Sequence, residues 1–318
     1  MLDISRYCRS LARLFKLEIW GIGIIQRRND DVSALLHSGR LGEVEWLPRL
    51  KSWRYRADPF IWHADDGLRL IFEDYAPWFG RARICSVPLA AVDDIAGARL
   101  EIGADTHFSY PFIVEADGAC YCIPENAESG RVSIYRWNPG EHRWHMVGNL
   151  IDEPVLDPTP YYHEGIWYLF GTLLNDGPDS KLRIWHSRAL LGPWHAHKHN
   201  PIKTDNRGSR SAGPLFRDED SLYRPAQDAT GGYGSAVTLY RIEQLSPEVY
   251  SETAVSRVLP DPGGQYPDGL HTLTVTSYAI IVDGKVLELT WAAPIVKALR
   301  RSAHRWRKWR ASRRSLPR

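Results

Sequence analysis

Four stretches of the chain share one pattern of hydrophobic and polar positions. In each, a proline opens an apolar and aromatic run, a short polar turn follows, and a second apolar run returns. The clearest copy covers residues 155–173, VLDPTPYYHEGIWYLFGTL, and the others begin at Tyr55, Phe108 and Ser211. Two apolar runs joined by a short polar turn are typical of a β-hairpin.

The copies recur at a nearly constant interval. Their signature prolines, Pro59, Pro111, Pro158 and Pro214, lie 52, 47 and 56 residues apart, and a fainter fifth copy begins at Gly269. A repeat of about 50 residues is typical of a β-propeller, in which each repeat folds as one four-stranded blade. The sequence therefore predicts an all-β fold, a five-bladed β-propeller.

The two ends of the chain differ from this repeated body. Residues 1–19 carry apolar positions near helical spacing with arginines between them, which predicts a short amphipathic helix. Residues 20–296 form the predicted propeller, and its first strand, residues 20–26, is suited to close the ring against the last blade. Residues 297–318 are a basic tail with ten Lys and Arg and no acid, so the rest of the chain has a net charge of −8.

Cationic ends on an acidic body leave several roles open. The predicted helix either seals the side of the propeller or rests on an anionic membrane surface together with the tail, whose Trp306 and Trp309 suit the headgroup region. The tail could also be a solvated end or a nucleic-acid contact. Nucleic-acid binding usually needs further basic patches on the folded body, which its negative charge does not favour. We expect an anionic membrane surface as the partner of the termini, and no nucleic acid.

The composition is that of an ordinary globular protein. Of 318 residues, 43% are hydrophobic and 25% charged, which suits a single propeller. The 13 Trp and 15 Tyr suit sheet cores first and sugar-binding clefts second. No run of 18 apolar residues is present, and Met1 leads into LDISRYCRS rather than an apolar signal sequence. We therefore expect a cytoplasmic protein, peripheral at the inner face of the membrane.

Propeller topology predicts where chemistry could be placed. The first strand of each blade lines the central channel and the second runs antiparallel beside it, so the start of the first and the end of the second share one rim. This rule brings together Asp58 with Glu73 and Asp74, Tyr110 with Glu125, Asp157 with Thr172, and Gly213 with Gln227 and Asp228. Carboxylates crowded in one mouth repel each other, which raises some pKa values and leaves other groups ionised. One mouth can then hold both an acid and a base.

The acidic candidates also have structural interpretations. Asp before Pro is a common turn opener because its carboxylate caps nearby backbone N–H groups. The same dipeptide at equivalent points of two blades favours a catalytic role for Asp58 and Asp157, and Glu125 is a third catalytic candidate. Asp74 and Asp228 are candidates for substrate binding that could equally pair with arginines or satisfy backbone groups.

Cationic and polar candidates complete the predicted mouth. Arg210, Arg224, His107 and His271 are suited to bind sugar hydroxyls or a phosphate, and Tyr110 is placed beside them.

Several phrases of the sequence resemble a known family. The ADPF opening of the first copy, LDPT followed by WYLFGT in the third, and SRALLGPW resemble the five-bladed propellers of glycoside hydrolase family 43 and its clan. The stretches THFSYPFIVEADGACYCIPE, AGPLF and RPAQD are closer to the glycosidase-like N-terminal domain of glucosamine inositolphosphorylceramide transferases and its bacterial relatives. The resemblance covers residues 18–285 and implies the propeller fold and a carbohydrate substrate.

The likeness to family 43 implies an inverting hydrolase. Asp58 matches the family's general base and Asp157 the aspartate that orients and tunes it, whereas the family's acid is the Glu of a Glu-Gly-Pro motif. Here residues 212–214 read AGP. Loss of a general acid costs about 10²- to 10⁴-fold in rate. Either Glu125 or Asp228 therefore replaces the acid, or the leaving group needs no proton.

The resemblance also bears on ligands. Family 43 members can hold a calcium ion near the propeller axis, where His271 would support it; no other metal or cofactor is indicated. A leaving group that needs no proton is a phosphate, as in a sugar nucleotide, and Arg210, Arg224 and His271 would supply cations for it. We expect a glycosyltransferase-like propeller that moves a sugar from an activated donor in cell-surface polysaccharide or glycolipid synthesis. A cytoplasmic inverting glycoside hydrolase and a non-catalytic sugar-binding propeller are the alternatives.

Overall fold

The chain folds as a five-bladed β-propeller. The structure is a computed structural model that describes residues 14–28, 30–50 and 53–314, with side chains through residue 303. Within these ranges, five antiparallel sheets are arranged as blades. The predicted fold class is confirmed.

The strands follow the predicted repeats. The chain begins with β1 (Lys16–Gln26), α1 (Asp31–Ser38) and β2 (Glu45–Trp46). Blade one contains β3 (Tyr55–Ala64), β4 (Gly67–Ala76), β5 (Arg81–Pro88) and β6 (Arg99–Ile102). Blade two contains β7 (Ser109–Ala116), β8 (Ala119–Glu125), β9 (Val132–Asn138) and β10 (Arg143–Ile151). Short 3₁₀ helices span Leu89–Gly97 and Ala127–Ser129.

The second half continues in the same order. Blade three contains β11 (Val155–His163), β12 (Ile166–Leu173), β13 (Lys181–Ser187), β14 (His195–Ala196) and β15 (Lys203–Thr204). Blade four contains β16 (Phe216–Asp218), β17 (Ser221–Asp228), β18 (Ala236–Leu245) and β19 (Tyr250–Val258). Strands β20 (Leu273–Val275) and β21 (Ala279–Leu289) begin blade five, and α2 (Ala293–Arg314) follows.

Blade five is completed by the start of the chain. Its strand order is β2-β1-β21-β20, and β1 pairs with β21 along its whole length, from Lys16 opposite Leu289 to Gln26 opposite Ala279. The expected closing role of residues 20–26 is therefore observed. This pairing covers an edge of β21 and joins the two ends of the ring within one blade.

The structure describes part of each predicted end segment. The helix predicted over residues 1–19 lies mostly outside the described residues, but residues 16–19 belong to β1. The prediction was wrong there because Leu17 and Ile19 alternate inward with strand periodicity. The basic segment from residue 297 continues α2, which begins at Ala293, and its last four residues lie outside the described part.

The core lies between neighbouring blades. Between blades one and two, Trp62 packs against Trp137 and Trp144, with ring centroids 4.6 and 5.0 Å apart. Each fully buried large apolar side chain contributes about 1.5–3 kcal/mol relative to exposure. Because both faces of most blades are covered, their strands have nearly continuous apolar runs instead of strict alternation.

Helix α2 is attached to the edge where the ring closes. Its residues Ala293 and Val296 pack against Leu17 and Ile19 of β1. The helix contains nine Lys and Arg and no acid. Among the helices described, none combines the length and apolar character needed to cross a membrane.

Candidate functional site

The first strands of blades one, two and three share a backbone irregularity. The residue before the signature proline has a positive φ, which is 50° at Asp58, 44° at Tyr110 and 47° at Asp157. The strand pairing skips at the same points. A β-bulge re-aims a side chain, and a strained backbone position costs about 1–3 kcal/mol. The surrounding structure must therefore hold these three residues in place at the mouth of the channel.

Backbone N–H groups of the bulges are bonded to carboxylates of neighbouring blades. The Asp58 N–H donates to Asp283 Oδ2 at 3.2 Å, and the Tyr110 N–H donates to Asp58 Oδ2 at 3.1 Å. The Asp157 N–H donates to Glu125 Oε2 at 3.1 Å. These bonds join consecutive blades and fix the carboxylates of residues 58, 125 and 283 around the axis.

In blade four, the equivalent of the bulged residue is Gly213. Its φ is 133°, and a Cβ there would lie 2.1 Å from the carbonyl oxygen of Leu273, so only glycine fits. The Gly213 N–H donates to the Tyr110 hydroxyl at 2.8 Å, and that hydroxyl also bonds Thr159 Oγ1 at 2.9 Å. The Tyr110 side chain is fully buried. It therefore ties blades two, three and four together, whereas the sequence had placed it among substrate-binding residues.

One half of the mouth is a chain of two aspartates and a histidine. His271 Nδ1 lies 2.6 Å from Asp283 Oδ2, and His271 Nε2 lies 3.6 Å from Asp58 Oδ1. Thr272 Oγ1 donates to Asp58 Oδ1 at 2.8 Å. The Asp283 Oδ1 atom accepts the backbone N–H groups of His271 and Thr272. This arrangement fixes the imidazole between the two carboxylates.

Burial and neighbouring charge set the protonation of this half. Burial raises the pKa of Asp58 to about 6, against the lowering effect of His271. Burial alone would lower the pKa of His271, but Asp283 and then Asp58 raise it overall. The pKa of Asp283 is lowered despite its burial because His271 stabilises the carboxylate. At neutral pH, Asp58 is thus a carboxylate that readily exchanges a proton.

The other half of the mouth is organised by Arg210. Its Nε lies 2.6 Å from Asp157 Oδ2, and its guanidinium also lies 3.5 Å from Glu125 and 3.4 Å from Asp179. Gln227 Nε2 donates to Asp157 Oδ2 at 2.8 Å. The pKa of Asp157 is lowered despite burial because Arg210 stabilises its charge. Burial, and then Asp157, raise the pKa of Glu125 well above its ordinary value.

Glu73 and His107 lie at the edge of the same mouth. His107 Nε2 is 3.8 Å from Glu73 Oε1, and His107 Nδ1 accepts the N–H of Ala82 at 3.1 Å. Burial and then the negative charge of Asp58 raise the pKa of Glu73 well above its ordinary value. The mouth thus contains carboxyl groups whose pKa is raised, Glu73 and Glu125, and carboxyl groups whose pKa is lowered, Asp157 and Asp283.

Aromatic side chains cover the mouth. The guanidinium carbon of Arg210 lies 5.3 Å from the ring centroid of Tyr233, and the His271 ring lies 5.3 Å from the same ring. Trp20 stacks on His271 at 4.0 Å. Lys285 Nζ donates to the Tyr233 carbonyl at 2.5 Å and so holds the glycine-rich segment 231–234 in place. Tyr233 remains 40% exposed and is the part of this cover that solvent reaches.

Three predicted substrate-binding residues lie away from the mouth. Asp74 contacts Arg54 and Arg83 on the face of β4 opposite Glu73. Arg224 is fully buried and pairs with Glu252, with Arg224 Nη2 2.7 Å from Glu252 Oε1. Next to Asp74, Glu73 faces the channel instead, because successive side chains of a strand point to opposite faces.

Asp228 is the third of these residues. Its Oδ2 lies 2.7 Å from Arg257 Nε, and its Oδ1 accepts the N–H of Thr230 at 2.9 Å. It satisfies rim backbone and an outer-strand arginine, while the adjacent Gln227 reaches Asp157. Asp228 is therefore badly placed to replace the missing acid. Position 212 offers none either, since Ala212 is buried in the apolar cluster between blades four and five.

Several residues of the mouth were not among the predicted site residues. They are Trp20, Tyr233 and Asp283, together with Glu73 and Gln227, which the strand rule had placed at the rim without giving them a role. A signal for Asp283 does exist, because an aspartate inside the apolar run AIIVDGKVLEL must be buried and partnered. Tyr233 lies in the segment GGYGSA. Its glycines are typical of a flexible loop, so the sequence gives no sign that Tyr233 contacts the mouth.

Asp58, His271 and Asp283 are close enough to hold a metal ion. One ligand atom of each lies within 4.8 Å of the others, which makes this a candidate site among the described residues. Calcium, however, prefers six to eight oxygen ligands. Here one ligand is an imidazole nitrogen, and the Asp283 oxygens already accept bonds from His271 and Thr272. The residues present do not suit the expected calcium ion and fit a hydrogen-bonded chain better.

Comparison with known proteins supports the fold and indicates a family. The family profile described as "Glucosamine inositolphosphorylceramide transferase 1, N-terminal" matches residues 51–265. The chain is 36% identical over 210 residues to glucosamine inositolphosphorylceramide transferase 1 of Oryza sativa subsp. japonica, covering 63% of this chain and 28% of that protein. The Arabidopsis thaliana protein of the same name is 34% identical over 211 residues, covering 63% and 27%. The chain therefore matches less than a third of the length of these relatives.

A solved structure shares the architecture. An exo-β-1,3-galactanase from Clostridium thermocellum superposes with a TM-score of 0.51 and 12% sequence identity, covering 80% of this chain and 60% of that one. At this identity the likeness shows the propeller fold alone.

Proposed function

This chain belongs to the family of the N-terminal domain of glucosamine inositolphosphorylceramide transferase 1, and we propose that its channel mouth transfers a sugar from an activated donor to a hydroxyl acceptor. The observation that carries the proposal is the Asp58–His271–Asp283 chain. A buried carboxyl with a pKa of about 6 is suited to take a proton near neutral pH. The acceptor would be a cell-surface polysaccharide or a glycolipid.

The proposed step conserves atoms and charge. The acceptor oxygen forms a bond to the anomeric carbon of the donor sugar while the bond from that carbon to the leaving phosphate oxygen breaks. The acceptor proton moves to Asp58, and the phosphate leaves with its own negative charge. Such a leaving group needs no general acid, which agrees with the apolar surroundings of Ala212. Arg210 is the cation nearest to the ionised side of the mouth.

The aromatic cover supports a sugar ligand. Tyr233 is partly exposed and its ring lies over the Arg210 guanidinium, and flat rings suit the apolar face of a sugar ring. Carboxylates and Gln227 beneath it would bind hydroxyl groups. A sugar would therefore enter beside or under Tyr233.

Hydrolysis is the second candidate, and Glu125 is the residue that favours it. Burial and the neighbouring Asp157 raise its pKa well above the ordinary value, which favours the protonated form that could donate a proton to a leaving oxygen in place of the family's missing glutamate. Asp58 would then activate water instead of an acceptor hydroxyl. A purely sugar-binding role requires neither proton donation by Glu125 nor proton removal by Asp58.

We also propose that the basic C-terminal segment contacts an anionic membrane surface and places the protein at the inner face of a membrane. The support is its nine Lys and Arg without an acid within α2. Flotation with vesicles containing phosphatidylglycerol, with and without residues 297–318, tests this. Equal flotation of the two forms would remove the segment from the proposal.

A panel of UDP-sugars tests whether the mouth binds a sugar donor and transfers its sugar. We expect one of them to raise the melting temperature and to release UDP when an acceptor glycolipid fraction is added. Asp58→Asn should reduce UDP release by at least about 100-fold, since it removes the base. Asp220→Asn, in the exposed turn between β16 and β17, is the matched control and should leave UDP release unchanged.

The alternatives give different results. Release of sugar from an aryl glycoside, lost in Glu125→Gln, would replace transfer with hydrolysis. Sugar binding that persists without turnover, and equally in Asp58→Asn, would leave only a binding role.

A further inference from the structure

A cationic cavity lies on blade one, separate from the channel mouth. Its volume is about 360 Å³, and its lining includes Arg54, Asp74, Phe79, Arg81, Arg83 and Leu100. Three positive charges and one negative charge therefore face this space. The arginines are partly exposed, at 38%, 39% and 49% of their side-chain area, so a ligand can reach them.

The one acid in this lining is buried and shared. Asp74 is 3% exposed and contacts Arg54, while Arg83 Nε lies 3.4 Å away from it. A single carboxylate that already bonds one guanidinium cannot neutralise its neighbours fully. Arg81 Nη1 lies 3.4 Å from Oδ1 of the highly exposed Asp105 and donates to the neutral Ala104 carbonyl at 3.3 Å, so its charge is only weakly compensated by these two groups. The cavity therefore attracts anions, and guanidinium groups bind phosphate oxygens well.

The wall of the cavity is apolar and continues onto the surface. Phe79 is 62% exposed and Leu100 is 51% exposed. The turn that carries Phe79 packs against α2, since a Cβ at Gly80 would lie 3.0 Å from the Arg300 side chain. Beyond this contact the same edge of the molecule exposes further large apolar residues: Leu14, Trp78, Leu289, Trp291, Ile295 and Leu299.

This combination matches one kind of ligand. A soluble phosphate would need the arginines but not the apolar wall, whereas an anionic lipid has both a phosphate and acyl chains. We propose that the cavity binds the phosphate of an anionic membrane lipid, with Phe79 and Leu100 against its acyl region. The apolar edge and the basic helix α2 then lie on the same side as the bilayer.

The cavity and the mouth share one strand. Asp74 lies in the cavity, while the adjacent Glu73 faces the mouth. On the mouth side, the Arg300 guanidinium lies 5.8 Å from the Tyr75 ring, and that ring is 6.1 Å from His107. A lipid held in the cavity would therefore bring the mouth next to the membrane surface. Lipid binding itself does not depend on the mouth's chemistry.

The full chain can be titrated with dihexanoyl phosphatidylglycerol below its micelle concentration, so that the basic helix meets no extended charged surface. We expect saturable binding by calorimetry. Arg81→Gln with Arg83→Gln should weaken it at least about 10-fold, because two charged hydrogen bonds are lost. Arg136→Gln with Arg241→Gln makes the same change in net charge on exposed strand positions and should leave binding unchanged.

Two further ligands distinguish lipid from free phosphate. Glycerol 3-phosphate should bind at least about 10-fold more weakly than the lipid, since it lacks acyl chains, and dihexanoyl phosphatidylcholine should also bind weakly. Phe79→Ser should reduce lipid affinity without changing the weak binding of glycerol 3-phosphate, which keeps the test valid if the arginine variant fails to fold. Asp58→Asn should keep full lipid binding.

Three results would overturn the proposal. They are the absence of phosphatidylglycerol binding, equal affinity for glycerol 3-phosphate, and an equal loss in the Arg136/Arg241 control. The second would assign the cavity to a soluble phosphate. None of them bears on sugar transfer at the mouth, because no sugar donor is present in the experiment.

Discussion

The two halves of the mouth hold their carboxylates with different cations. Blades five and one place a titratable imidazole, His271, between Asp58 and Asp283. Blades three and four place a permanent guanidinium, Arg210, against Asp157. The first half can gain and lose protons near neutral pH, whereas the Arg210–Asp157 pair of the second half stays charged. A site that both moves a proton and orients a substrate needs one half of each kind.

The contributions of Asp58 and Asp157 to stability depend on pH with opposite sign. The pKa of Asp58 is raised in the folded state, so its contribution to stability is greatest below the unfolded pKa of 3.8 and is lost as pH rises through about 6. The pKa of Asp157 is lowered, so its contribution is present above 3.8 and is lost as pH falls through the folded pKa. At neutral pH the ionised, buried Asp58 therefore lowers the stability of the folded state, whereas Asp157, paired with Arg210, increases it.

Removing the fixed cation should have the largest effect. Arg210→Met leaves Asp157 and Glu125 buried together without a positive partner, and we expect a loss of about 3–5 kcal/mol in the free energy of unfolding. Chemical denaturation at pH 7 measures it. Arg241→Met, in an exposed pair with Glu243, is the control and should leave the denaturation midpoint unchanged.

A double variant sharpens this prediction. Adding Asp157→Asn to Arg210→Met removes the unpaired charge and should recover part of the lost stability. If the double variant is less stable than the single one by the full effect of Asp157→Asn, the two groups act independently and the comparison between the halves fails.

Changing the titratable cation should shift a pH profile instead of unfolding the protein. His271 lowers the pKa of Asp58, so His271→Asn should raise that pKa above its value of about 6. Activity requires ionised Asp58, so the acidic limb of the kcat/KM profile should move to higher pH by about one pH unit. The profile is measured with the donor found in the UDP-sugar panel.

A matched histidine change controls for this shift. His145 is exposed and pairs with Glu141 away from the mouth, so His145→Asn should leave the profile in place. A lower rate with an unmoved limb in His271→Asn would show that the histidine only supports structure.

The blades and much of the mouth could be predicted from the sequence. The proline spacing predicts the blades, and antiparallel pairing places Asp58, Tyr110, Glu125 and Asp157 at one rim, as the structure shows. These inferences succeed because they depend on the repeat and on strand direction, which single residues do not change.

The sequence could not decide which of two adjacent residues faces inward. Glu73 and Asp74, like Gln227 and Asp228, are neighbouring polar residues at strand ends, and a bulge in the partner strand shifts the pairing. Asp283 was missed for another reason, since the fifth copy lacks the signature proline. Its role depends on contact with blade one, which is distant in sequence.

The smallest effect is expected at the cover that spans both halves. Tyr233 contacts Arg210 on one side and His271 on the other, and its ring is partly open to solvent. Tyr233→Ala should weaken sugar binding by about 1 kcal/mol, or roughly 5-fold in Kd, because a flat apolar contact is lost. Tyr233→Phe keeps the ring and should bind normally. If both variants lose binding equally, the hydroxyl and not the ring face contacts the sugar, and if neither does, the sugar enters the mouth from elsewhere.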